Sequence, residues 1–299
     1  GSGASRLVSG TRPLHGQLEA ELAAWKGTAD CVLFSSGYLA NLGTIAALVG
    51  RDDAIVSDAW NHASIIDGCR LSGAQIAVYP HGDVAACEKL LEAARRAGKR
   101  RLLLCTDSVF SMDGDLAPLA ELLPLARRYQ AMTLVDEAHA TGVLFDGRGA
   151  IYGLGEALRD DVDALIGTCS KALGAAGGFV AGSQKLCDYL RNRARSFVFD
   201  TAPPPTTVGA TLRALSIIRD EPQLGRRACA HAARLYQGLS ALGFFVPRPA
   251  AAIVPVLIGD SARALLLSER LRQAGVLALA IRPPTVQIGR ASCRERVSS

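Results

Sequence analysis

Aromatic residues are scarce, at 5% of the 299 positions, and no reading motif for nucleic acid accompanies the modest formal charge of +5. Proteins that bind single strands stack bases on aromatic side chains along basic grooves, so no nucleic-acid partner is expected. The short basic groups at Arg95-Arg96, Lys99-Arg100-Arg101 and 191–195 read as solvated helix faces. No uninterrupted apolar stretch approaches the ~20 residues of a spanning helix, and no charged-then-apolar leader opens the chain. No membrane partner is expected. None of the eight cysteines belongs to a CxxC pair, which argues against a zinc site or a disulfide scaffold. Cys31, Cys105 and Cys169 sit in or beside apolar runs, as reduced, buried thiols of a cytoplasmic protein would, and no metal is expected. Internal repeats and low-complexity segments are also lacking.

What is present describes an ordinary globular chain, 49% hydrophobic and 20% charged, large enough for one large or two medium domains. Strand-like runs at 31–34, 54–57, 75–79, 101–106, 132–135, 164–167 and 178–181 are interleaved with helical patterns at 14–25, 38–49, 84–97 and 119–129. This alternation predicts an α/β fold, a largely parallel central sheet with helices on both faces, and ligand-binding groups at the carboxyl ends of its strands. Residues 188–219 read as helices interrupted by Ala202-Pro203-Pro204-Pro205. Beyond Pro222 a helix (226–242), a strand (253–258) and a helix (262–274) predict a smaller C-terminal α+β domain, cut short. The expected division is residues 1–220 and 221–287. Residues 288–297, IGRASCRERV, read as the translation of a short-read sequencing adapter, so 288–299 is expected to be a non-native tail. The opening Gly1-Ser2-Gly3, without methionine, suggests a missing upstream segment.

The chemistry centres on residues 163–178, DALIGTCSKALGAAGG. An apolar strand stops at Thr168, Cys169 and Ser170 and delivers Lys171 into a turn rich in glycine and alanine. Desolvation disfavours an ammonium, so an amine held at the end of a buried strand can lose its proton and attack a carbonyl to form a Schiff base. Asp136 lies 35 residues earlier, also just after an apolar strand. Neighbouring parallel strands would bring the two ends together. A carboxylate paired with such a lysine suits pyridoxal phosphate, whose pyridine nitrogen must stay protonated if the ring is to act as an electron sink. His62 and His139 could supply a stacking ring and a hydrogen bond. A further strand, small-residue turn and helix start at 31–38 offers an anion site, since unpaired backbone N–H groups point at the turn.

In combination the motifs SRLVSGT (5–11), LHGQLE (14–19), SSGYLAN (35–41), NHASIIDGCRLS (61–72), VFSMDGDLAPL (109–119), VDEAHATGV (135–143), GTCSKALGAAGG (167–178) and AIRPPTV (280–286) resemble the α-oxoamine synthase family of fold type I pyridoxal-phosphate enzymes. The resemblance covers essentially residues 1–286. It implies a cytoplasmic acyltransferase that condenses an amino acid with an acyl thioester and releases carbon dioxide. SRLVSGT, SMDGDLAPL and IRPPTV are nearest to the branch that joins L-alanine to a pimeloyl thioester in biotin synthesis. Glycine C-acetyltransferase, 5-aminolevulinate synthase and a non-catalytic partner subunit are the alternatives, although such subunits lose the lysine retained here.

The resemblance also implies residue roles. Lys171 would anchor pyridoxal 5'-phosphate and act as base, Asp136 would face the pyridine nitrogen, His139 and Ser111 would bond around its phenolic oxygen, and His62 would stack on the ring and meet substrate. Gly37, Tyr38 and Thr168 match positions that hold the cofactor or its phosphate. Arg282 matches the arginine that grips the amino-acid carboxylate, and Thr285 a substrate-contacting threonine. Thr201 matches a residue reaching the neighbouring subunit's cofactor, which implies a homodimer with shared active sites. Asp200 departs from the family's usual Ser or Thr.

Overall fold

The computed structural model describes residues 1–282 and 291–296. In chain order the first elements are α1 (Pro13–Lys26), β1 (Asp30–Phe34), α2 (Gly37–Leu48), β2 (Ala54–Asp58), α3 (Ala63–Ser72), β3 (Gln75–Tyr79), α4 (Val84–Arg96) and β4 (Leu102–Asp107). They continue with α5 (Leu119–Arg128), β5 (Met132–Asp136), α6 (Glu156–Arg159), β6 (Ala164–Thr168), β7 (Gly178–Gly182), α7 (Gln184–Arg193), α8 (Arg195–Val198) and α9 (Pro205–Asp220). Last come α10 (Gln223–Ala241), β8 (Ile253–Gly259), α11 (Ser261–Gln273), β9 (Leu279–Ile281) and β10 (Ala291–Arg296).

The strands β1 to β7 form one sheet in the order β1-β7-β6-β5-β4-β2-β3. Pairings within β6-β5-β4-β2-β3 are parallel, whereas β7 runs antiparallel to both β6 and β1. The short turn after Thr168 explains the reversal. A parallel return needs a crossover of a dozen or more residues, and the glycine-rich turn around Lys171 is too short for one.

Alternation along the strands sends side chains to two different helical layers. Leu33, Val135 and Leu165 pack with Leu18 and Leu22 of α1 and Leu215 of α9, while Val32, Leu134 and Ile166 pack with Ile45 of α2, Ile65 of α3 and Leu190 of α7. Both faces are therefore covered. Full burial of β2, β4 and β6 along their length follows, and it accounts for their continuous apolar runs. Among the described residues no helix is long and apolar enough to cross a membrane.

One helix departs from expectation. No helical pattern stands out in the sequence between β2 and β3, yet 63–72 form α3, with His62 at its cap accepting the Ser64 N–H on Nδ1. A histidine ring is not among the usual capping signals Ser, Thr, Asp and Asn, so the start was not legible.

Beyond α9 lies a separate three-stranded antiparallel sheet, β8-β10-β9. Its middle strand, β10, falls in the segment expected to be a non-native tail. Ladder bonds are made by backbone groups that every residue except proline possesses, so the pairing carries no information about the origin of that sequence.

Candidate active site

Three adjacent strands end side by side. Asp107, last in β4, is in register with Asp136, last in β5, and Asp136 is in register with Ile166 of β6. Two residues further along β6 is Thr168, and Lys171 follows in the turn. Topology thus joins Asp136 and Lys171 as the alternating pattern implied.

The Asp136 carboxylate is buried and held on both oxygens. Oδ2 accepts from Asn41 Nδ2 at 2.7 Å, and Oδ1 accepts the Ala138 N–H at 2.8 Å. Asn41 also donates to Ser64 Oγ at 2.9 Å, tying α2, α3 and β5 together. A carboxylate has about four acceptor positions, so room remains for a further donor.

His62 is exposed at the start of α3, and its backbone N–H donates to Asp107 Oδ2 at 2.7 Å. Burial pushes its imidazole below the ordinary value and the Lys171 charge acts in the same direction, against the pull of Asp136 and Asp67. The ring is therefore neutral at pH 7. Because Nδ1 accepts from Ser64 N–H, the remaining proton sits on Nε2. Burial raises the neighbouring Asp107 carboxyl well above its usual range, and the Asp136 charge adds to that.

An anion cradle completes one side. Ser36 caps α2 by accepting the Leu39 N–H at 3.1 Å. The N–H groups of Gly37 and Tyr38 precede any intrahelical acceptor and lie at the positive end of the helix. This helix start lies against the strand ends. A Cβ at Gly37 would sit 3.1 Å from Thr168 Cβ, and one at Gly178 would sit 2.3 Å from Gly37 N. Thr168 Oγ1 lies 2.8 Å from Ser170 Oγ. The Tyr38 hydroxyl turns away and donates to Asp67 Oδ2 at 2.6 Å, so only its backbone suits the cradle. Gly178→Ala should lower stability by ~1–3 kcal/mol, as overpacking does. It should also weaken cofactor affinity, measurable as a higher apparent Kd in spectroscopic reconstitution; unchanged affinity would remove α2 from the site.

Lys171, His139, Ser170 and Thr141 line a cavity of about 330 Å³ together with Leu224 and Ala228 of α10 and Ile253 of β8. Ser111 stands in the loop after β4, closed by a bridge between Val109 and Leu116. Thr201 is exposed, bridged to Ser5, and its carbonyl accepts from Ser35 Oγ at 3.2 Å. The Asp200 carboxylate takes the same Ser35 hydroxyl. Arg282 directly follows β9 and is exposed, and Thr285 lies outside the described residues. Asn41, Asp107 and the cap residue Ser64 were not anticipated as parts of the site. A polar residue on the buried face of α2 was the available signal for Asn41.

A largely parallel sheet flanked by helices, with a lysine turn at its rim, a strand-end carboxylate and a helix-terminal anion cradle beside it, defines a fold type I pyridoxal-phosphate enzyme. The model for aminotransferase class I and II matches residues 1–298, and the chain belongs to that family, with pyridoxal 5'-phosphate as its cofactor. It is 52% identical over 300 residues to an 8-amino-7-oxononanoate synthase from Anaeromyxobacter dehalogenans (strain 2CP-1 / ATCC BAA-258), covering 100% of this chain and 74% of that one. It is 47% identical to an 8-amino-7-oxononanoate synthase from Citrifermentans bemidjiense, covering 99% of this chain and 75% of the relative. Among solved structures, a Sphingomonas wittichii serine palmitoyltransferase superposes with a TM-score of 0.94 at 34% identity, covering 100% of this chain and 74% of that one. An 8-amino-7-oxononanoate synthase from Francisella tularensis superposes with a TM-score of 0.81 at 26% identity, covering 96% and 82%.

Proposed function

We propose that the protein condenses L-alanine with a pimeloyl thioester, carried by coenzyme A or acyl-carrier protein, to give 8-amino-7-oxononanoate, carbon dioxide and free thiol in biotin synthesis. The observation that carries this reading is the meeting of the Asp136 and Lys171 strand ends beside the α2 cradle, in a chain half identical to synthases of that name. The residues suit the cofactor chemically: a carboxylate with spare acceptor capacity, a lysine lining a cavity and a start of α2 that can bind phosphate.

When bound, pyridoxal phosphate supplies an electron sink for the carbanion formed at the amino acid's Cα. Lys171 Nζ would hold the cofactor covalently at rest, and its amine, when free, would take the α-proton of alanine. The change these groups would serve joins the alanine Cα to the acyl carbon, with the thiol and carbon dioxide as the leaving groups and a proton returned to Cα. Asp136 keeps the pyridine nitrogen protonated, and Asn41 and Ala138 fix the orientation of its carboxylate. The neutral ring of His62 offers an uncharged face for stacking. His139 and Ser111 bond around the phenolic oxygen, while Gly37, Tyr38 and Thr168 hold the phosphate. Arg282 grips the alanine carboxylate and Thr285 contacts substrate.

The working form in this reading is a cytoplasmic homodimer in which Thr201 reaches the neighbouring cofactor. Exposed Leu7, Val8 and Phe199 near that segment are surfaces a partner would cover. Residues 1–220 act as the cofactor domain, 221–287 as the small domain, and 288–299 as a non-native tail. The close superposition on serine palmitoyltransferase favours a second reading, with serine and a longer acyl thioester. The two differ in the side chain at the attacking carbon and in pocket length. Assaying the full-length parent enzyme with alanine, glycine and serine against short and long acyl thioesters separates them. Turnover should require alanine and the pimeloyl chain; success of serine or glycine alone would replace the proposal.

A further inference from the structure

His81, in the turn between β3 and α4, is not absorbed by this reading. Its ring stacks on the Trp60 indole, with centroids 3.8 Å and planes 11° apart, and meets the Phe110 ring edge-on at 4.4 Å. Nδ1 lies 3.0 Å from Asp58 Oδ1, and Nε2 lies 2.7 Å from Asp115 Oδ2. An ionised carboxylate only accepts, so both ring nitrogens donate and the ring is an imidazolium.

The two carboxylates belong to different segments. Asp58 ends β2, four residues before His62, and it also accepts the N–H groups of Trp60 at 2.8 Å and Gly82 at 3.0 Å. Asp115 belongs to the loop that carries Ser111, where its carbonyl accepts the Phe110 N–H at 3.0 Å. That loop also touches the small domain. Gly114, at φ +75°, would place a Cβ 2.8 Å from the Ile253 carbonyl oxygen, and its own carbonyl accepts the Ala250 N–H at 3.3 Å. Ile253 lines the Lys171 cavity.

We propose that His81 is a positioning residue which, by bridging Asp58 and Asp115, locks the turn bearing His62 to the loop bearing Ser111 and so sets how the small domain closes over Lys171. The inference rests on the reading of that cavity as the cofactor site.

Among the described residues, Asp58 and Asp115 are the carboxylates paired with the ring. Burial opposes its charge, but the hydrogen bonds to Asp115 and Asp58 outweigh burial and hold its pKa up to about 9. The stabilising contribution is full below the ordinary imidazole value of ~6.5 and is lost as pH rises through about 9. Above that, a neutral ring has one N–H, and one carboxylate loses its donor.

The test uses the full-length holoenzyme. With Trp25 and any tryptophan outside residues 1–299 replaced by Phe, leaving Trp60 as the reporter, emission should rise as pH passes about 9, because a stacked imidazolium quenches indole and neutral imidazole does so less. His81→Phe should keep a stacked ring, abolish that transition and lower kcat/KM on the order of 10- to 100-fold, as displacement of positioned groups does. Asp115→Asn, a change at a partly exposed side chain that tests the idea should His81→Phe fail to fold, should lower the emission midpoint and move the alkaline limb of kcat/KM by the same amount. A midpoint near the ordinary imidazole value would overturn the proposal. So would an alkaline limb that stays in place while the emission midpoint moves, or full activity in His81→Phe. Visible absorbance of the cofactor on Lys171 is read separately, so failure of the cofactor assignment leaves the Trp60 titration interpretable.

Discussion

Lys171→Ala is expected to remove turnover and the visible absorbance of lysine-bound cofactor together, while the protein stays folded. The lysine acts twice, as covalent anchor and as the base that takes the α-proton. Loss of a positioned base alone costs on the order of 10²- to 10⁴-fold, and the missing anchor adds to this. Lys171 stands in a turn at the rim of the sheet and lines the cavity with His139, so truncation opens space there without disturbing a strand. Steady-state assay and absorbance of the reconstituted variant, alongside its circular dichroism, provide the check. A variant retaining either turnover or the absorbance would refute the assignment of Lys171.

The second large effect lies behind the site. Lys26 at the end of α1 and Glu137 just after β5 form an ion pair at 3.0 Å with both side chains wholly excluded from solvent. Lys26 Nζ also donates to Thr141 Oγ1 at 2.9 Å, and Glu137 Oε1 accepts the Ile151 N–H at 2.8 Å. Burial pulls the Lys26 amine down from its ordinary value, with Glu137 opposing. This pair braces the segment running from Asp136 through His139 to Thr141. Lys26→Met should strand a buried carboxylate and cost ~3–5 kcal/mol, a large share of a typical ~5–15 kcal/mol stability. The double variant Lys26→Met with Glu137→Leu should recover part of that loss. Replacing a buried pair whole is often close to neutral, although the Ile151 N–H then loses its acceptor at ~1–3 kcal/mol. Urea denaturation of the two variants decides it, and a single variant within ~1 kcal/mol of the parent would mean the pair contributes little.

Much of the fold was legible in order along the chain. The seven strands of the large sheet fall where the apolar runs place them; for the inner strands the reason is that a strand covered on both faces must be apolar throughout, whereas the edge strand β3 is apolar yet largely exposed. Crossover topology then carried Asp136 and Lys171 to neighbouring strand ends without any knowledge of distances. The direction of β7 could be argued from turn length, but α3 could not be seen, since its cap is an imidazole. Asn41 was marked only as a polar residue on the buried face of α2, and nothing local pointed its amide at the Asp136 carboxylate 95 positions away.

By itself, the sequence determined the α/β class, the strand ends and the lysine and aspartate on them, all of which follow from patterns only a few residues long. Tertiary structure decided which polar groups are satisfied by which others. Lys26 meets Glu137 across 111 positions, and His81 joins Asp58 to Asp115 across 23 and 34. Such pairings hinge on exclusion from water, which raises the cost of every unpaired charge, and burial is a property of the packed chain that local periodicity does not encode.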